Sequence, residues 1–162
     1  MSSIDGICLD GFSEPVSIDE LRRKRYTDLP KSAGIYLITR SSDSRPSFLH
    51  QSTGGWFKGQ DPSYAYEVVC DSWVEGAQVM YVGMTASEGG LKSRFCAFFD
   101  FGSGKRRGHR GGRLLWHLED SGQLLVRWRL YSADEADPAE TAAITSFKAV
   151  FAGRRPFANR NK

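Results

Sequence analysis

Ala33-Gly-Ile-Tyr-Leu-Ile-Thr-Arg40 is the stretch on which the reading of this chain turns. Its β-branched and aromatic residues favour a pleated strand. Alternation puts Ile35, Leu37 and Thr39 on one face and Tyr36, Ile38 and Arg40 on the other. Two features stay unexplained by strand formation alone: a glycine at the head, Gly34, and a tyrosine on the face of Ile38.

Working outward, a second strand-like run, QVMYVGMT, spans 78–85 and again carries a tyrosine and a glycine, Tyr81 and Gly83. In GGLKSRFCAFFDFG, 89–102, the apolar Leu91, Phe95, Phe98 and Phe99 share one stripe, which predicts a helix with Arg94 on its flank. A basic, glycine-rich loop follows, then RLLWHLED (113–120) as a short helix and QLLVRWRLY (123–131) as a third strand. The last helix covers DPAETAAITSFKAVFAG, 137–153, with Asp137 as N-cap, Pro138 in the first helical position and Gly153 as the stop. Upstream, SIDELRRKR (17–25) reads as a short helix capped by Ser17 with Glu20 three positions on. Its RRKR run reads as a solvated face. Segment 41–77 is rich in Ser, Gly, Pro and aromatics, with turn signals and strand-like pieces such as SYAYEVV but no helical period. There is no internal repeat.

The chain has 162 residues, enough for one domain with a sizeable core. Hydrophobic residues make up 40% and charged residues 25%, which places it among ordinary globular proteins. A net charge of +3 leans weakly towards a polyanionic partner. The three cysteines, Cys8, Cys70 and Cys96, lack CxxC spacing, and the three histidines complete no zinc pattern. With no secretory leader in MSSIDGICLDG and no apolar run of membrane-spanning length, the expectation is a soluble, intracellular, cytoplasmic protein with reduced thiols and no membrane partner.

Several residues carry two readings. Glu140 shares a helix face with Ile144, Phe147 and Phe151. It is either a first-turn capping carboxylate behind Asp137 or an inward-facing oxygen ligand for a hard cation. Arg94 is either an arginine lying along an aromatic stripe or a guanidinium clamp for phosphate. The loop GSGKRRGHRGGR holds Lys105, Arg106, Arg107, Arg110 and Arg113. It is either a solvated loop or a track for a nucleic-acid backbone. It is not a nucleotide-triphosphate loop: Arg106 follows Lys105 where Walker A needs Ser or Thr, and Phe99 stands at the first glycine. Trp56 and Phe57 in the insertion either pack onto the domain or touch nucleic acid.

Taken in order, GIY at 34–36, YVG at 81–83, Arg94 in the next helix, Glu140 in a later helix and the terminal RRPFAN resemble the GIY-YIG nuclease superfamily, over about Gly34 to Asn159. The resemblance implies a metal-dependent endonuclease that hydrolyses phosphodiester bonds in DNA. It makes Tyr36 and Tyr81 the motif tyrosines, Gly83 a close approach of backbone to the site, Arg94 the transition-state stabiliser and Glu140 the ligand of one divalent cation, Mg²⁺ or Mn²⁺. Asn159, or else Asn161, matches the asparagine of the C-terminal loop. Tyr36 is the expected general base with Tyr81 orienting; the reverse assignment, or His109 as base, stays open. A tyrosine near pKa 10 needs that value lowered for the task. Two departures stand out. The connection 41–77 is far longer than the family's usual one. Phe98 occupies the place, one turn after the arginine, where some members carry histidine or tyrosine. His109 is a candidate stand-in from the loop, or else simply an exposed loop residue. The competing function is a catalytically inactive nucleic-acid-binding module of the same fold. The expected fold class is α+β: a small three-stranded central antiparallel sheet flanked by helices. Residues 1–30 form an N-terminal extension and 31–162 the nuclease-like domain, with insertion 41–77 between the first two core strands.

Overall fold

The computed structural model describes residues 2–161. The run that opened the analysis is β4, Gly34–Thr39, and it lies at the centre of the sheet. It pairs antiparallel with β5, Val79–Thr85, on one side and with β6, Leu125–Leu130, on the other. All six residues of β4 are buried, so the alternation seen in sequence marks two covered faces and not a wet one. Tyr36 and Ile38 face the larger core, with Phe95, Phe98, Phe99 and Trp116. Leu37 faces the smaller one, with Ala143, Ile144 and Phe147. The larger core is covered by α3, Gly90–Gly102, and the smaller by α4, Ala133–Val150.

The architecture is α+β with an antiparallel sheet, but the sheet has four strands, not three. β3, Val16–Ser17, adds to the outer edge of β6 in the order β3-β6-β4-β5. Two residues give no readable alternation, so sequence periodicity misses such a strand. Ser17 then caps α1, Ile18–Arg23, by accepting from the Glu20 amide at 3.1 Å. Ile18 is fully buried and Leu21 nearly so, which knits this N-terminal segment into the main core. A separate hairpin joins β1, Ser3–Ile4, to β2, Ile7–Cys8. Within RRKR, Arg22 is no solvated side chain: its guanidinium donates twice to the Phe99 carbonyl and lies 5.5 Å from the Trp116 ring centre.

Three further expectations are corrected. SYAYEVV is not strand-like; its second half opens α2, Tyr66–Ser72, because buried Val69 and Trp73 dock this short helix on Phe48 and Phe157. RLLWH, 113–117, is a 3₁₀ turn. The last helix starts at Ala133, not Pro138: Ser132 is the N-cap and accepts from the Glu135 amide. Pro138 lies inside α4. Its missing N–H leaves the Asp134 carbonyl without a helical donor, which exposed Asp134 can satisfy with water. The helix ends where Ala152 turns left-handed at φ +55 and Gly153 donates back to Lys148 at 2.8 Å. No helix among the described residues is long and apolar enough to cross a membrane.

Candidate active site

Tyr36 stands in register between Gly83 of β5 and Trp128 of β6. A Cβ on Gly83 would lie 2.4 Å from Tyr36 Cζ, 2.5 Å from its hydroxyl and 2.7 Å from Tyr81 Cε2. Gly83 thus leaves the space in which the two rings lie side by side, 6.0 Å between centroids. It does not end the strand, which runs two residues further. Gly34 has a different reason: its Cβ would meet the Arg129 carbonyl oxygen at 2.4 Å, so it lets β6 come close and does not serve the site.

Tyr81 owes its direction to a break in register. Ile38 pairs with Tyr81, but Thr39 pairs with Val79, leaving Met80 as the extra residue of a bulge. The bulge turns both Met80 and Tyr81 towards the larger core. Phe95 and Phe98 hold the Tyr36 ring edge-on at 5.0 and 6.3 Å, and Phe98 holds Tyr81 at 5.5 Å. Burial raises the Tyr36 phenol well above 10 and pushes Tyr81 up to about 12. Glu140 adds to both shifts and Arg94 opposes both, so the two charges act on the same pair of hydroxyls. An interaction between the two hydroxyls raises Tyr36 and lowers Tyr81, so Tyr36 is the last of the pair to lose its proton.

Glu140 is the eighth residue of α4, which starts at Ala133, and so lies beyond its second turn. That removes the first-turn capping reading. It lines a cleft of about 380 Å³ together with Tyr81, Arg110, Arg113, Asn159 and Asn161. Asn159 bonds through both ends of its amide: Oδ1 accepts from the Val82 amide and Nδ2 donates to the Val82 carbonyl, both at 2.9 Å. Ala158 adds a backbone bond to Met80 at 2.9 Å. Asn159 therefore fixes the C-terminal tail along β5 beside Tyr81, and its second N–H and second oxygen lone pair stay unassigned at the cleft wall.

His109 is the largest surprise. It is not an exposed loop residue but 8% accessible, stacked on Phe98 at 4.3 Å with 14° between planes. The loop thus lays a histidine on the very side chain that occupies the place after Arg94. Two glycines make this possible. A Cβ on Gly111 would lie 2.6 Å from the Tyr81 hydroxyl, and one on Gly112, at φ +67, 2.4 Å from Phe98 Cζ. Desolvation, helped by the charges of Arg94 and Arg113, lowers the His109 pKa to about 4. Its Nε2 is buried and meets no hydrogen-bond partner among the described residues. A neutral imidazole with a free nitrogen is a proton acceptor.

The basic loop is tethered. Asp100, itself buried, accepts from Tyr26 at 2.8 Å and pairs with Lys105 and Arg107, each at 3.7 Å. Arg113 lies over Phe101. Arg110 and Arg113 face the cleft, whereas Lys105 and Arg107 are partly neutralised outside it. Tyr64 and Arg160 also line the cleft, stacked 5.1 Å apart. Neither carries a signal in sequence, because tertiary contacts alone bring the insertion there. His117 supplies one: Nε2 accepts from the Tyr64 amide at 3.0 Å while Nδ1 donates to the Leu49 carbonyl at 2.8 Å.

For a divalent cation, the cleft offers one carboxylate, Glu140, and no group of three or more His, Cys, Asp or Glu side chains gathers among the described residues. That suits a hard cation which keeps water and phosphate oxygens as its other ligands, as Mg²⁺ does. In the comparisons with known proteins, no family model, no curated protein and no solved structure matches this chain.

Proposed function

We propose that the chain is a divalent-metal-dependent endonuclease of the GIY-YIG type, acting on phosphodiester bonds in DNA. One observation carries the reading. Tyr36, Tyr81, Arg94 and Glu140 come from four separate elements, yet Arg94 and Glu140 both act on both hydroxyls. Separate structural reasons for each residue do not require that meeting.

In this reading Glu140 holds the one Mg²⁺ or Mn²⁺. When bound, such a cation supplies Lewis-acid polarisation of the phosphoryl group and stabilisation of the leaving 3′-oxygen. Arg94 neutralises charge that builds on the phosphoryl oxygens. The Tyr81 O–H, in the cleft wall, orients the attacking water or the phosphate, and Tyr36 packs beside it. His109 and not Tyr36 is the base in this reading: a buried phenol held well above 10 is a poor proton acceptor, whereas His109 is neutral and its buried Nε2 meets no partner among the described residues. Water oxygen bonds to phosphorus as its proton passes to His109 Nε2, the P–O3′ bond breaks, and the leaving 3′-oxygen takes a proton from solvent to become the 3′-hydroxyl.

Nicking of supercoiled plasmid with Mg²⁺ or Mn²⁺ tests this. Glu140→Gln and Arg94→Ala should each lose at least about 100-fold. Equal nicking by all three proteins would mark a contaminant. DNA binding without cleavage under every metal and pH condition would leave the inactive binding module instead. A histidine base gives a rate that stays level until an acid limb near pH 4. A tyrosine base gives a rate that climbs roughly tenfold per pH unit towards 10.

A further inference from the structure

The insertion is the part of the chain that the catalytic reading does not use. Its tip, residues 54–60, packs on the basic loop. Gly55 donates to the Phe101 carbonyl at 2.8 Å, and a Cβ there would strike the Lys105 carbonyl, so nothing larger than glycine fits. Phe57 lies against Gly108, whose Cβ would sit 3.3 Å from its ring. The tip leaves two aromatic side chains in solvent: Trp56 is 54% exposed and Phe57 39%. Lys58 lies over the Phe57 ring at 5.5 Å.

Three hollows run on from this tip and share their cations. The first is formed by Trp56, Lys58, Gly59 and Arg106. The second shares Lys58 with it and adds Phe57, His109, Arg110 and Arg113. The third, the cleft of Tyr81 and Glu140, shares Arg110 and Arg113 with the second. Among the described residues lining the three, Glu140 is the only carboxylate. A continuous cationic track thus begins at exposed aromatic rings and ends at the catalytic cleft.

We infer that Trp56 and Phe57 form a stacking platform for unpaired bases, with the backbone of that single strand led over Arg106, Arg110 and Arg113 to the cleft. Exposed aromatic faces accept any unstacked base, and interleaved cations accept its phosphates; paired bases present no free face to such rings. This rests on the nuclease reading for the end of the track and makes its substrate DNA with a single-stranded segment. The partner is set by charge: a lipid surface would be met by the same residues only where it is anionic, so anionic vesicles serve as the control.

The measurement is binding of the intact protein to fluorescein-labelled dT12 and to a 12-base-pair duplex, in EDTA, by anisotropy over a salt series. The wild type should bind dT12 more tightly than the duplex. Trp56→Ala should weaken dT12 binding about ten-fold and leave duplex binding unchanged. Arg106→Ala should weaken dT12 binding and reduce its salt dependence. Trp56 is too exposed for its loss to unfold the protein, and circular dichroism confirms that in the same samples. Equal affinity for the two DNAs, unchanged dT12 binding in Trp56→Ala, or binding confined to phosphatidylserine vesicles would overturn the inference. EDTA separates the two proposals: dT12 binding through Trp56 without plasmid nicking sinks the nuclease reading alone, and nicking with Trp56-independent dT12 binding sinks the platform alone.

Discussion

His109 makes the fold sensitive to acid in a way that can be worked out in advance. Its folded pKa is about 4 because desolvation and the charges of Arg94 and Arg113 disfavour the imidazolium. A free imidazole titrates near 6.5. Between those values the unfolded chain binds a proton that the folded chain refuses. The contribution is therefore complete above 6.5, falls as pH drops from 6.5 to 4, and changes no further below 4. Integrated from pH 7 to pH 5, the loss is about 2 kcal/mol, which is about 1 M in the urea midpoint for a chain of this size. The comparison is urea unfolding of wild type and His109→Phe at both pH values. Phenylalanine keeps the stack on Phe98 but cannot titrate. The wild type should lose about 2 kcal/mol more than the variant, and its His109 ring resonances should stay unshifted down to about pH 5. Equal losses, or a His109 titration near 6.5, would refute the burial argument and with it the assignment of His109 as the neutral base.

Other outcomes follow from the same geometry. Gly83→Ala forces a methyl group into the Tyr36 ring and should cost about 2–3 kcal/mol, seen as a lower thermal midpoint, with activity falling further than stability. Asn159→Ala removes both bonds to Val82 and should cost about 2 kcal/mol; hydrogen exchange at the Val82 amide should accelerate well beyond that of β4 amides. At the alkaline end the sign reverses. Tyr26, Tyr36 and Tyr81 have raised pKa values, so their contribution is whole below pH 10 and is lost as pH rises towards 12 and beyond. Unfolding above pH 10 should coincide with the tyrosinate absorbance change, and Tyr26→Phe should delay it.

What could be read in the sequence was whatever local periodicity or order carries. The GIY strand, the YVG strand and the Leu91–Phe99 stripe announce themselves because long apolar runs bury most. What stayed hidden depends on distant partners. Val16–Ser17 is a strand only because β6 lies next to it. Tyr66–Ser72 is a helix despite its aromatic and β-branched residues, because Trp73 and Phe157 reward that conformation. Pro138 misplaced the helix start by looking like a first residue while Ser132 was the better cap. The direction of Tyr81 depends on a one-residue bulge, and the burial of His109 on two glycines in a loop whose composition reads as solvated. That Asn159 also ties the tail to Val82 of β5 carries no signal in sequence.

The tail that Asn159 fastens has a consequence beyond the site. β5 ends the sheet, and its outward amides and carbonyls are those a strand from another molecule would seek. Ala158 and Asn159 occupy that rim at Met80 and Val82, and at the opposite rim Ser13 bonds both polar backbone groups of Trp128. Along these stretches each border is covered by irregular chain, and β3 itself forms the rest of the edge beyond β6. Clipping the chain before Pro156 would thus uncover one unpaired margin, at which two copies can meet edge to edge.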